Sequence, residues 1–173
     1  MTSPATNPMK VVRIEKVTVN MGVGQTGEEL RRAKEIMQKI TGVSPVETAC
    51  KVKIPAWGIR EGINIGVKAT LRKVKASQFL KTALQAKENT LSKRNFDKAG
   101  NFGFGIKEYI DLPGTKYDPK MGIRGFDVLV TLERPGYRVK KRKIRPSPIG
   151  SAHRVTKEDA MTFVQEQFGV KVV

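Results

Sequence analysis

Cysteine and histidine are almost missing from this chain, which carries one of each, Cys50 and His153, in 173 residues. That scarcity excludes an intramolecular disulfide and leaves no Cys/His set from which a zinc site could be assembled. It also fits a reducing compartment. Long apolar runs are lacking: a membrane-spanning helix needs about 20 consecutive apolar residues, and neither such a run nor the short apolar stretch of a secretory signal is expected here. No paired carboxylates or nucleophile–base constellation stands out, so no catalysis and no cofactor are expected. Aromatic residues make up only 6% of the chain, and Trp57 is the sole tryptophan. Acids are outnumbered as well. Against 33 Lys and Arg there are 16 Asp and Glu, a net charge of +17, which is the electrostatic footprint of a polyanionic partner.

What is present begins with a strand, Val17-Thr18-Val19-Asn20-Met21, running into Gly22-Val23-Gly24-Gln25-Thr26-Gly27 and then a helix. The glycines spell G-x-G-x-x-G, the dinucleotide fingerprint, and Glu47 follows twenty residues after the last of them. A dinucleotide-dependent oxidoreductase using Gly22, Gly24, Gly27 and Glu47 is therefore one reading. The strand argues against it. A first strand of that fold is buried on both faces and apolar throughout, whereas Val17, Val19 and Met21 here alternate with Lys16, Thr18 and Asn20. Period-2 alternation marks a half-exposed antiparallel strand.

Length and 39% hydrophobic content fit one domain, expected over 10–173 behind a loose tail at 1–9. Thr26 and Glu29 predict a capping box ahead of a helix whose stripe is Leu30, Ala33, Ile36, Met37 and Ile40, with Gly42 at its stop. Residues 46 to 53 alternate, predicting Val46, Thr48, Cys50 and Val52 inward and Glu47, Ala49, Lys51 and Lys53 outward. A second run sets Ile63, Ile65, Val67, Ala69 and Leu71 against Asn64, Lys68, Thr70 and Arg72, closing a long hairpin through the loop at 54–62. A helix over 76–91, a short strand over 105–110, a strand over 126–132 and a last helix capped by Thr156 and Asp159 complete the expectation. The fold class is α+β, an open antiparallel sheet with helices on one face and a basic, RNA-binding face on the other.

Collected from these strands, the outward residues are Lys16, Thr18, Asn20, Lys51, Lys53, Lys68, Thr70 and Arg72. Cations, hydroxyls and one amide suit phosphates and ribose hydroxyls, and the lack of aromatics predicts docking on folded RNA by shape, without base stacking. From Arg134 to Arg145 seven residues in twelve are basic, and Pro135, Pro146 and Pro148 argue against a continuous helix. With no apolar face for insertion into a membrane surface, that segment reads as an arm for nucleic-acid phosphates through Arg138, Lys140, Lys141 and Arg142. His153 reads as a capping or phosphate-contacting group, not a catalytic base.

Three stretches carry a family resemblance: Ile14 to Gly24, the loop ending Gly58-Ile59-Arg60, and Gly100-Asn101-Phe102-Gly103-Phe104-Gly105-Ile106-Lys107-Glu108. Together they resemble the large ribosomal subunit protein five family. Tyr117-Asp118-Pro119, Arg134-Pro135-Gly136 and the ending from His153 to Met161 are similar to its archaeal and eukaryotic branch. The resemblance implies a cytoplasmic protein of the large subunit's central protuberance. Its partners would be 5S rRNA, large-subunit rRNA, P-site tRNA and neighbouring ribosomal proteins, with no membrane. It places RNA contacts on Asn20, Met21, Gly22, Gly24, Thr70 and Arg72, and a tRNA-facing segment on Pro55, Ala56, Trp57, Gly58, Ile59 and Arg60. Two departures stand out. Where many members have Thr-Gly-Gln, this chain has Thr41-Gly42-Val43, and where relatives often have Arg-Gly it has Arg72-Lys73.

Overall fold

A computed structural model describes residues 7–115, 117–119 and 121–173, so most of the expected tail at 1–9 lies outside the described residues. In chain order the elements are β1 (Arg13–Gly22), α1 (Glu28–Thr41), β2 (Val46–Ala49), β3 (Asn64–Leu71) and α2 (Lys73–Ala86). There follow β4 (Thr90–Leu91), β5 (Phe102–Ile106), β6 (Phe126–Glu133), α3 (Arg138–Lys141), α4 (Lys157–Phe168) and β7 (Lys171–Val172). Five strands form one antiparallel sheet in the order β2-β3-β1-β6-β5. The short β4 and β7 pair in parallel at the side. This is the expected α+β architecture.

The alternation of β1 is borne out: Val17, Val19 and Met21 are fully buried while Thr18 and Asn20 lie half-exposed on the other face. Val67, Ala69 and Leu71 of β3, Val128, Val130 and Leu132 of β6, and Phe102, Phe104 and Ile106 of β5 face the same side. Onto it pack Leu30, Ala33, Ile36 and Met37 of α1 and Ala76, Phe79, Leu80, Ala83 and Leu84 of α2, in one continuous core. Burying a side chain such as Leu80 contributes about 1.5–3 kcal/mol.

Local departures have local causes. Helix α1 has Gly27 as its N-cap, at φ +88°, and no side-chain cap, so the Thr26 capping box does not form. Glu29 is drawn instead to Arg32 at 3.3 Å and to Arg124. The box at Thr156 and Asp159 does form. Helix α2 starts three residues earlier than its periodicity suggests, and it stops earlier because Glu88 and Asn89 take left-handed φ values of 56° and 51°, which end a helix. Leu91, seven residues beyond Leu84, mimics the helical stripe but sits in β4. The strand expected at 105–110 is β5, displaced toward the glycines, with a 3-10 turn at Tyr109–Asp111 behind it.

The largest correction concerns β2. Its register sets Val46 opposite Lys68 on the open face, where Val46 is 61% exposed, and Glu47 opposite Val67 on the helix side. The inward carboxylate is satisfied by Lys34 of α1 at 3.0 Å and Asn64 at 2.9 Å, which makes this parity tolerable in an edge strand. The strand ends at Ala49. Lys51 and Lys53 are consequently exposed loop residues and not part of the sheet face, and Cys50 is half-buried with its thiol donating to the Val52 carbonyl at 2.9 Å.

Candidate nucleic-acid interface

The sheet face away from the helices can be followed row by row through the ladder. One row crosses all five strands as Val46, Lys68, Asn20, Asp127 and Gly105. The next runs Thr70, Thr18, Leu129, Gly103, and a third pairs Lys16 with Thr131. Asn20 and the threonines thus form a hydroxyl and amide strip with Lys68 beside it, as expected. The remainder differs from the expected basic surface, because Asp127, Val46 and the 49%-exposed Leu129 share it. Gly105 adds no side chain to the β5 edge, so another backbone can approach there, whereas the Leu129 side chain lies over Gly103.

Beyond the strip, Met21 is fully buried. Any contact it makes outside the fold runs through its main chain. Gly22 and Gly24 are exposed, but the amides of Val23 and Gly24 both donate to the Ile65 carbonyl at 2.9 Å. With those donors committed to β3, and with Glu28 and Glu29 in the first turn of α1, this glycine loop is a poor cradle for a pyrophosphate. Glu47, the would-be ribose acid, is held by Lys34 and Asn64. Among the described residues, no group of His, Cys, Asp and Glu is placed to hold a metal ion, and no helix is long and apolar enough to cross a membrane.

At the foot of the sheet a bulge between Ile14 and Lys16 brings Glu15 beside Glu133. Around these two carboxylates stand Arg13 (2.8 Å to Glu133), Arg72 (3.7 Å to Glu15) and Lys141 (2.6 Å to Glu15, 3.4 Å to Glu133). Arg72 and Lys141 therefore anchor α3 and the start of β1, which sequence alone did not indicate. Burial pushes the Glu15 carboxyl up, but the Lys141 hydrogen bond and the charges of Lys141, Lys16 and Arg72 together hold it below its ordinary value. The Lys34 and Asn64 hydrogen bonds do the same for Glu47.

Both shifts make stability depend on pH in one direction. A carboxyl whose folded pKa is depressed contributes fully above its unfolded value, about 4.3, and that contribution is lost as pH falls through the folded value. The Glu15→Gln/Glu47→Gln double variant is expected to melt at lower temperature than the parent at pH 7 and to lose less on acidification from pH 5 to pH 3. Thermal scans across that range showing parallel losses for both proteins would contradict it.

The basic arm begins with a network that the sequence did not reveal. Arg134 donates to Asp159 at 3.0 Å, reaching the α4 capping box, and the Tyr137 hydroxyl accepts from the Val155 amide at 2.9 Å and donates to the His153 carbonyl at 3.3 Å. His153 has a structural role: its Nε2 donates to the Pro135 carbonyl at 2.8 Å, with the ring edge-on to Tyr137. Only the single turn of α3 is helical. Arg138, Lys140 and Arg142 are exposed, and none forms an ion pair among the described residues.

Lys73, where the family resemblance leads to an expectation of glycine, has φ +55°. A side chain in that left-handed region costs roughly 1–2 kcal/mol, so this chain carries an extra cation at a backbone cost. In the hairpin loop the Ile54 and Ile59 amides and carbonyls bond reciprocally at 2.9 and 3.1 Å, and Pro55–Trp57 form a 3-10 turn closed by Gly58. Ile59 is buried, yet Trp57 does not fold back on it; the indole residue is 74% exposed beside exposed Pro55, Ala56 and Arg60.

Comparison with known proteins covers nearly the whole chain. The family model described as "Ribosomal protein L5" matches residues 7–60, and the model of the same ribosomal family's C-terminus matches 64–163. Among curated relatives, "Large ribosomal subunit protein uL5" of Nanoarchaeum equitans is 49% identical over 168 residues, covering 96% of this chain and 99% of the relative. The protein of the same name from Methanococcus maripaludis is 50% identical, with coverages of 96% and 93%. That of Sulfolobus acidocaldarius is 49% identical, with coverages of 96% and 94%.

Proposed function

The chain belongs to the ribosomal protein L5 family, and on that premise we propose that it binds 5S rRNA and fastens it to the large-subunit rRNA in the central protuberance. Membership makes it a large-subunit protein of the cytoplasmic ribosome, associated with rRNA and ribosomal proteins, and not an enzyme. The observation that carries the finer reading is the strip of Thr18, Asn20, Lys68 and Thr70, free of aromatics, on the open face of a chain of charge +17. Hydroxyls and an amide flanked by cations favour ribose and phosphate over stacked bases. Gly22 and Gly24 at the strip's end leave room for a backbone, and the exposed arm residues Arg138, Lys140 and Arg142 supply further phosphate contacts. Lys16, Lys51 and Lys53 add positive charge around the face, and the loop at 55–60 faces P-site tRNA.

RNA that copurifies with the protein should be a single species of 5S size; a heterogeneous mixture would remove the specific partner. If Lys68 and Arg138 each neutralise one phosphate, Lys68→Gln/Arg138→Gln reduces the slope of log K against log salt by about 1.4 to 1.8. Asn20→Ala weakens binding with the slope unchanged, since an amide releases no counterion. An unaltered slope in the double variant would place the contacts elsewhere.

A further inference from the structure

Between the start of the basic arm, the turn before β5 and the segment leading into α4 lies a cleft of about 510 Å³. Its apolar lining includes half-buried Tyr137 and Ile149, which form its floor, and exposed Pro148, and three exposed cations, Lys98, Lys140 and Arg154, line it at the surface. None of the three cations has a carboxylate partner among the described residues. The walls are fixed from behind. The Tyr137 hydroxyl is already engaged by Val155 and His153, Arg154 Nε donates to the Ile149 carbonyl at 3.1 Å, and Gly100 lies directly against Val155. Such a pocket is preformed, and its size is that of a small-ligand site.

Phosphates on the outside of an RNA helix could use the cationic rim, but they would leave an apolar concavity empty. A nucleotide splayed out of its stack uses both, setting its base on the apolar floor and its phosphate among the cations. We infer that the cleft receives one unstacked nucleotide of the bound RNA, an inference that rests on the RNA-binding role proposed above. The arm then does more than neutralise charge. It gives the protein one point at which a looped-out base is told from a paired one.

The test uses the whole protein and two probes, adenosine 5′-monophosphate and inorganic phosphate, each followed by backbone amide chemical shifts. The nucleotide is expected to shift the amides of Ala99, Ile149 and Val155 and to bind at least tenfold more tightly than phosphate, with Lys98→Gln weakening it at least threefold. Equal affinity for the two probes would overturn the inference, leaving a simple anion patch. Saturation with 5S rRNA should abolish nucleotide binding. Undiminished nucleotide affinity in the RNA complex would overturn it in the other way, making the cleft a site for free nucleotide. Direct RNA titration separates the two failures: a protein that binds no RNA ends the proposed role, whatever the cleft does with the mononucleotide.

Discussion

Gly100→Ala is expected to destabilise the protein by about 2–5 kcal/mol, a large part of the roughly 5–15 kcal/mol available to a domain. Two costs combine. Gly100 has φ +76°, where a side chain costs roughly 1–2 kcal/mol. Its added Cβ would also meet Val155 Cγ1 at 2.5 Å and the Thr156 carbonyl at 3.0 Å, crowding of a kind that costs typically 1–3 kcal/mol. The turn cannot give way cheaply, since Asp97 Oδ1 accepts from the amides of Ala99 at 2.9 Å and Asn101 at 2.7 Å. Val155 cannot move without the Tyr137 hydroxyl that holds its amide. Gly105→Ala serves as the control. That position has an ordinary φ and finds nothing nearer than Asp127 Oδ1 at 3.4 Å, so its cost should stay below about 1 kcal/mol. Urea midpoints measured side by side decide the matter: a Gly100→Ala protein within about 1 kcal/mol of the parent would mean that the turn is not held as described.

Sequence made the sheet legible where one face meets a continuous core. The period-2 alternation of β1, β3 and β6 had apolar residues at every inward position, so parity could be read directly. It failed at β2, where Val46 and Thr48 barely outweigh Glu47 and Ala49 and the deciding contacts come from Lys34 and Asn64, both distant in sequence. Capping was legible at Thr156 because Asp159 has no competing partner within its own turn and gains Arg134 besides. It was not legible at Thr26, because Glu29 is taken by Arg32 and Arg124, the second of which lies far along the chain. The candidate face divides the same way. Asn20, Lys68 and Thr70 followed from alternation, whereas the anchoring of Arg72 and Lys141 at Glu15 and Glu133 depends on a bulge that no local pattern announces. The Arg134, Tyr137 and His153 network joins an arm that looks like a loose basic tail to the helix behind it, across sixteen or more residues.

Replacing Pro55 to Arg60 by a short Gly-Ser turn is expected to leave 5S rRNA affinity within about twofold while weakening P-site tRNA retention on assembled ribosomes by tenfold or more. The loop tip is separable from the rest of the fold because its main-chain bonds are local: Ile54 and Ile59 pair with each other, the Ile63 amide donates to the Arg60 carbonyl at 3.4 Å, and the next ladder bonds, Cys50 to Ile63 at 2.7 Å and Gly62 to Cys50 at 2.9 Å, lie below the excised segment. What is removed is exposed Trp57 and exposed Arg60, together with buried Ile59. A surface aromatic of that size suits a partner that buries it, and stacking or packing on nucleic acid is worth about 1–3 kcal/mol per aromatic, which is roughly 5- to 150-fold in affinity. Trp57→Ala alone should reproduce most of the loss, because the 3-10 turn is closed by main-chain bonds that alanine retains. Trp57→Ala costs little stability, since Trp57 contributes almost nothing to the core, whereas the full replacement also removes buried Ile59. Retention is read by filter binding of labelled tRNA to reconstituted large subunits joined to small ones, and 5S rRNA affinity by titration of the free protein. Loss of 5S rRNA binding with the fold preserved would show that the tip and the open sheet face act on the same RNA, and the division of labour between them would fall.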